Sequence, residues 1–158
     1  MVKCIAYDGA TKTSSITTEE KFDIARKMWK IIGTGDDKAS NIIDGNTATQ
    51  WYQDNKVQIP AELVIDLGKA ENISGFKYLP DQNWWAGGII TNYSFSVSQN
   101  GSDWKQVDGG EFANIKNNPL WQTKTFAPVQ ARYIKFLALS NTQGDNAVGY
   151  AEVDIITQ

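Results

Sequence analysis

The sequence has no histidine, and among its 158 residues a single cysteine, Cys4. Without histidine there is no Ser-His-Asp or Cys-His relay, and both the commonest general base and the commonest zinc ligand are missing. A lone cysteine cannot close an intrachain disulfide, so cysteine usage leaves the compartment open. Cys4 also lies in a polar start, a poor place for a nucleophile. Charge of one sign is lacking too: 15 Lys and Arg stand against 18 Asp and Glu, a net charge of -3. Nothing in that balance draws the chain to nucleic acid or to an anionic membrane. No run is long and apolar enough to cross a bilayer. The opening MVKCIAYDGATKTSSITTEE lacks the basic start and continuous apolar middle of a secretory signal.

Aromatics are abundant: six Trp, six Tyr and six Phe. The length suits one domain with a single core. Residues 9–18 are small and polar, so 1–17 reads as a linker or disordered start and 18–158 as the domain. Thr17 stands three before Glu20, the spacing of a capping box, and Phe22, Ala25, Trp29 and Ile32 follow at helical spacing. A short helix is expected over 18–28, with Trp29–Ile32 equally readable as a strand. After Gly35 short apolar runs alternate with Gly, Asn and Asp clusters, the pattern of an all-β sandwich. Leu63, Ile65 and Leu67 share one face, as do Phe95 and Val97, then Ile134 and Phe136. Gln99-Asn100-Gly101-Ser102 is a hairpin turn.

The segment Asn41 to Trp51 carries side-chain oxygens at short, irregular intervals around Gly45. It reads either as an Asx-rich turn bonding its own backbone or as oxygen donors to calcium, which takes six to eight oxygens in flexible geometry. It is not an EF-hand, because no glutamate closes the loop. Asp81-Gln82-Asn83-Trp84-Trp85-Ala86-Gly87-Gly88 has the composition of a lectin-type loop. An indole face complements the C–H patch of a sugar, and short polar side chains meet its hydroxyls. Adjacent tryptophans in extended backbone point to opposite sides, so one of Trp84 and Trp85 is expected to be buried and the other to touch sugar. Trp121, at a loop–strand junction, reads either as core or as contact.

Several fragments in order resemble the discoidin family, also called factor V/VIII type C, and most of all its glycan-binding branch, the family 32 carbohydrate-binding modules. They are Ile43-Asp44-Gly45-Asn46 with Thr49 and Trp51, Leu63 to Gly68, Tyr78-Leu79-Pro80, and Tyr93 to Trp104. Ala131-Arg132-Tyr133-Ile134 and Ala151-Glu152-Val153 complete the set, which runs from about Trp29 to Ile156. The resemblance implies an antiparallel β-sandwich of jelly-roll, discoidin-like type. It also implies a structural calcium held by carboxylates of Asp44 and Glu152, by Thr49, and by carbonyls of Asn41, Asn46 and Ala151. It places Trp51 and Trp104 in the core, and makes Asn146 and Tyr150 lesser sugar contacts beside Asp81, Gln82, Asn83, Trp84, Trp85 and Trp121.

The sequence departs from the family's galactose pattern at two points. Where galactose-binding members carry arginine after the proline, this chain has Asp81, and the histidine after the first tryptophan is absent. A sugar other than galactose is therefore open, with galactose, N-acetylhexosamine and other terminal sugars as the candidate glycans. The expectation is a non-catalytic module, targeting a covalently linked glycoside hydrolase to its glycan. It would be part of a larger secreted, periplasmic or cell-surface protein, with no nucleic-acid or membrane partner. Glycosidases run on two carboxylates, but the resemblance pairs Asp81 with no second acid for catalysis. The alternative is a phospholipid- or protein-binding discoidin-type adhesion domain with Trp84-Trp85 as its spike. The absence of basic residues from 78–100 removes the electrostatic half of that mechanism.

Overall fold

The computed structural model describes residues 2–15, 18–20, 26–54, 57–83 and 87–158. Two short ladders occupy the start. β1 (Val2–Cys4) pairs with β4 (Thr18–Glu20), and β2 (Tyr7–Asp8) pairs with β3 (Thr13–Ser14). The stretch expected as a linker thus makes a turn, in which Asp8 Oδ1 accepts from the Ala10 amide at 2.9 Å. Among the described residues of the span 18–28, where a helix is expected, 18–20 is strand and Arg26–Met28 is one 3-10 turn. The strand pairing outcompetes a weak amphipathic pattern, since a lone short helix is marginal in water. Thr17, Phe22 and Ala25 lie outside the described residues.

The body of the fold is β5 (Lys30–Ile32), a 3-10 stretch Asp37–Ile43, β6 (Trp51–Gln53), β7 (Ala61–Leu79), β8 (Ile90–Ser98), β9 (Lys105–Glu111), β10 (Gln122–Asn141), β11 (Val148–Tyr150) and β12 (Glu152–Thr157). The order β12-β7-β10-β8-β9, with β5 also on β7, is antiparallel throughout, and β11 pairs with β6. β7 and β10 are long enough to serve two layers. Phe76 is level with Lys124 on β10 and Phe95 with Phe136. Those positions on β10 lie about 40 Å apart along an extended strand. Yet the rings of Phe76 and Phe95 stack at 4.2 Å. The long pair must therefore fold over itself, and it does so at the register shifts between Thr125 and Val129 and between Ala131 and Tyr133. The result is the expected β-sandwich.

Two of the fragments that carried the family resemblance meet at that bend. Arg132 donates from Nε and Nη2 to the two oxygens of Asp66, each at 2.8 Å, and Asp66 also accepts from the Gly68 amide. Gly68 has φ of 80°, and a Cβ there would lie 2.6 Å from that of Met28. Only glycine lets the 3-10 turn pack this close. The core between the layers is aromatic: Phe76, Tyr78, Tyr93, Phe95, Phe112, Phe136 and Tyr150 are all buried. Trp51 belongs to this core, and its indole donates to Asp36 Oδ2 at 3.0 Å. Trp104 does not. It is part-exposed on the outer surface, with the Lys135 ammonium 4.6 Å over its ring. Among the described residues no helix is long and apolar enough to cross a membrane.

Candidate functional site

Three loops and one strand converge at the end of the sandwich where β7 stops and β8 starts. Tyr78 anchors them from below: its hydroxyl donates to the Gly149 carbonyl at 2.8 Å and accepts from the Ile90 amide. The loop after β7 opens with Asp81, 3% exposed, whose Oδ1 accepts from the Asn83 amide and from Asn83 Nδ2, both at 2.9 Å. Asp81 was expected to face a sugar; it is instead turned inward on its own loop. Gln82 is exposed, and its amide donates to the carbonyls of Pro80 and, at 2.9 Å, Pro119. That second bond ties the first loop to the loop of residues 112–121. Trp84 and Trp85 lie outside the described residues.

The third loop, 142–147, is organised by Asn141. Its Oδ1 accepts from the amides of Gln143 and Gly144, and its Nδ2 donates to the carbonyls of Asp145 and Ala147. Gln143 Oε1 accepts from the Gly88 amide, joining this loop to the first. Asn146 is exposed, as a sugar contact requires. Tyr150 is not: it is 1% exposed and packs on Trp51, Tyr78 and Phe136. It is a core aromatic, because β11 pairs with β6 and turns it under the loops. Trp121 is 40% exposed and so is a surface residue.

The structure adds an aromatic that the sequence reading passed over. Tyr52 is 36% exposed and lies against Gly87 and Gly149, where three loops meet. Burial raises its phenol above the ordinary value, and the charges of Asp54, Asp145 and Asp81 add to the shift. Strand alternation would have found it: with Trp51 inward, its neighbour must point out.

The expected metal ligands also come together. Asp44 Oδ1 accepts from the Asn46 amide at 2.7 Å, and Oδ2 from the Thr49 hydroxyl at 2.8 Å. Asn46 Oδ1 caps the Ala48 amide, and Asn41 Nδ2 donates to the Gln50 carbonyl. Across from this loop, Glu152 begins β12 and is 1% exposed. Ala151 precedes it, buried, with its amide on the Leu79 carbonyl. Glu152 Oε2 is paired with the Arg26 guanidinium, which also reaches Asp154 Oδ2 at 2.8 Å. Glu152 Oε1 is buried without a hydrogen bond of good geometry, beside the Asp44 carboxyl and the Gly45 amide.

Electrostatics follow from this arrangement. Burial, with the Asp44 carboxyl adding to it, pushes the Glu152 carboxyl up to about 7 against the opposing pull of the Arg26 guanidinium. Burial also raises Asp44, but the Asn46 amide and Thr49 hydroxyl outweigh it and hold that carboxyl below its ordinary value. An orphaned, buried carboxylate oxygen beside a second carboxylate is the setting a cation relieves, so the residues fit calcium. Among the described residues no group of three His, Cys, Asp or Glu side chains is arranged to hold a metal. Backbone carbonyls would therefore supply much of the shell. Arg26 was not foreseen, because nothing in its local sequence distinguishes it from other surface arginines.

Comparison with known proteins places this geometry. The sequence matches the F5/8 type C domain over residues 11–153. It is 30% identical over 150 residues to a sialidase of Micromonospora viridifaciens, covering 92% of this chain and 23% of that protein. The chain thus spans about a quarter of the length of that relative. The fold is similar to the family 32 carbohydrate-binding module of NanJ from Clostridium perfringens, in complex with galactose. That match has TM-score 0.67 and 29% identity, with 80% of this chain and 90% of that one covered. CpGH89CBM32-5 from Clostridium perfringens, in complex with GalNAc-β-1,3-galactose, shares the fold at TM-score 0.70 and 24% identity, with coverages of 82% and 94%. The chain therefore belongs to the F5/8 type C, or discoidin, family, where its structural neighbours are family 32 carbohydrate-binding modules, and it is a binding module and not a catalytic domain.

Proposed function

We propose that this chain is the carbohydrate-binding module of a glycan-degrading enzyme, that it grips a terminal sugar at the loop end, and that calcium holds its Asp44 corner together. The observation that carries the reading is the loop end itself. Exposed Tyr52, Gln82 and Asn146, with the half-buried Asn83, surround loops cross-tied by Asn141, Gln143 and Gln82. Such pre-organisation lowers the ordering cost of binding a polar ligand. The sequence sets two further tryptophans, Trp84 and Trp85, in the same loop.

Related modules accompany a sialidase or bind galactose. The galactose geometry itself is not carried over, since the position after Pro80 is a buried carboxylate and histidine is absent. We therefore assign the site to a terminal sugar met by amides and aromatic faces, with galactose, N-acetylhexosamine and other terminal sugars all to be tried. The parent enzyme would act outside the cell, and the module's modest affinity would be multiplied by tethering to the catalytic domain.

Asp44, Thr49 and Glu152 would hold the calcium through side-chain oxygens, with carbonyls of Asn41, Asn46 and Ala151. When bound, the ion supplies charge neutralisation between the Asp44 loop and β12. The test is a glycan array with the purified domain, run beside anionic vesicles. Retention of one sugar class with no vesicle binding supports the reading; vesicle binding without glycan binding overturns it in favour of an adhesion domain.

A further inference from the structure

The outer face of the layer β12-β7-β10 carries a groove apart from the loop tips. It has a volume of about 410 Å³ and is lined by Lys77, Trp121, Thr123 and Asp154. That volume falls in the usual range of small-molecule sites, about 300–1,000 Å³. Strand register builds its floor. Lys77 is level with Asp154 on one side and with Thr123 on the other. Adjacent strands lie about 4.8 Å apart, so the three side chains form one row about 10 Å long. Their neighbours Phe76, Tyr78, Val153 and Ile155 fill the core, which fixes this row on the outer face. Trp121 stands two residues before Thr123, on the same side, and rises as a wall at the loop end of the row.

The chemistry of the row is that of a sugar platform. Lys77 supplies donors, Thr123 a donor and acceptor, and Asp154 acceptors, while Trp121 supplies an indole face. Asp154 is held in place: Arg26 grips its Oδ2, and its Oδ1 accepts from the Ile155 amide at 2.9 Å. Each oxygen retains a lone pair for a hydroxyl. One ammonium and one carboxylate facing the same groove favour a neutral, hydroxyl-rich ligand over an anionic lipid surface. The groove also adjoins the loop site, because the Pro119 carbonyl, two residues before Trp121, accepts from Gln82.

We propose that this groove is a second sugar subsite, which takes an inner residue of the glycan whose terminal residue sits at the loop end. The inference rests on the carbohydrate reading above and adds to it a preference for oligosaccharides over monosaccharides.

The test is isothermal titration of the full chain. The probes are GalNAc-β-1,3-galactose, lactose, N-acetyllactosamine and chitobiose, each against its terminal monosaccharide. Any further oligosaccharide that a glycan array retains is added with its own terminal sugar. The wild type should bind at least one oligosaccharide about tenfold tighter than its terminal sugar. Trp121→Ala should bring that ratio close to one while the monosaccharide affinity stays unchanged, and Lys77→Ala should reduce it about threefold. Both side chains lie on the surface, and melting curves check that the variants fold. If no ratio above one is found, or if Trp121→Ala weakens monosaccharide and oligosaccharide alike, the subsite is overturned and the loop-end reading stands. If the wild type retains no glycan on the array, both readings fall.

Discussion

The tripeptides Asp44-Gly45-Asn46 and Asp81-Gln82-Asn83 look alike in sequence and fold alike locally. In each, the aspartate Oδ1 accepts from the asparagine amide two residues on, at 2.7 and 2.9 Å. This is the Asx turn that short polar side chains favour. Their surroundings reverse their use. Asp44 is exposed, and behind it lies a buried glutamate with one oxygen unpartnered. Asp81 is buried, and its Oδ1 accepts from both the amide and the side chain of Asn83. The first turn sets an exposed carboxylate beside that unpartnered glutamate oxygen and so suits a cation; the second is enclosed, and its carboxylate shapes the backbone that carries Gln82 and Asn83. A local motif settles a loop's shape, and only packing settles whether its carboxylate is on offer.

Between the two turns, the largest effect is expected at the Asp44 corner. Arg26→Ala removes the partner of a carboxylate that is 1% exposed, and should destabilise the chelated domain by about 3 kcal/mol, read from chemical denaturation. Adding calcium should recover part of that loss, because the ion takes over the charge. A loss of the same size with and without calcium would show that no ion reaches Glu152. Next comes calcium in the wild type, which at a hundredfold excess over its Kd should add about 2.7 kcal/mol. Asp44→Ala should erase that difference between chelator and calcium. Identical melting of the wild type in both would remove Asp44 from any metal role.

Asp81→Ala sharpens the other half. It strips the Asn83 amide and side chain of their acceptor, so a cost of about 2 kcal/mol in stability is expected. The loss should be the same with and without calcium. Glycan affinity should fall only as far as the loop loosens. If Asp81→Ala keeps full stability yet abolishes glycan retention, the carboxylate touches sugar after all and the contrast between the two turns collapses.

The sandwich was legible because it rests on period-2 burial: Leu63, Ile65, Leu67, Phe95, Val97, Ile134 and Phe136 all lie where alternation put them. The strand at 18–20 was not, since a capping spacing and four apolar residues looked helical while the deciding partner, β1, lay elsewhere in the chain. At the site, Asp44 and Glu152 were paired from family resemblance alone, and the structure brings them together. Arg26 was invisible because an ion pair across 126 residues leaves no local trace. Tyr150 was misread as a contact because its neighbours are loop residues, although its own strand turns it into the core.

Trp104 supplies the smallest test of the same lesson. Trp51 and Trp104 were both expected in the core, and only Trp51 is there. Trp51 packs against Tyr150 and donates its indole N–H to Asp36, so Trp51→Ala would leave a cavity and strip Asp36 Oδ2 of one of its two donors. Losses of that kind run to about 3–5 kcal/mol. Trp104 instead lies part-exposed beneath the Lys135 ammonium, which itself pairs with Glu62 at 3.2 Å. A cation–π contact at such a site is worth about 0.5–1 kcal/mol, and water fills the space a missing ring leaves at the surface. Trp104→Ala should therefore cost about 1 kcal/mol, with glycan retention unchanged, because the hairpin 98–105 that presents it lies at the far end of β8 from the loops. A cost matching that of Trp51→Ala would mean that the ring is enclosed in solution, and that the core extends past the bend in β10.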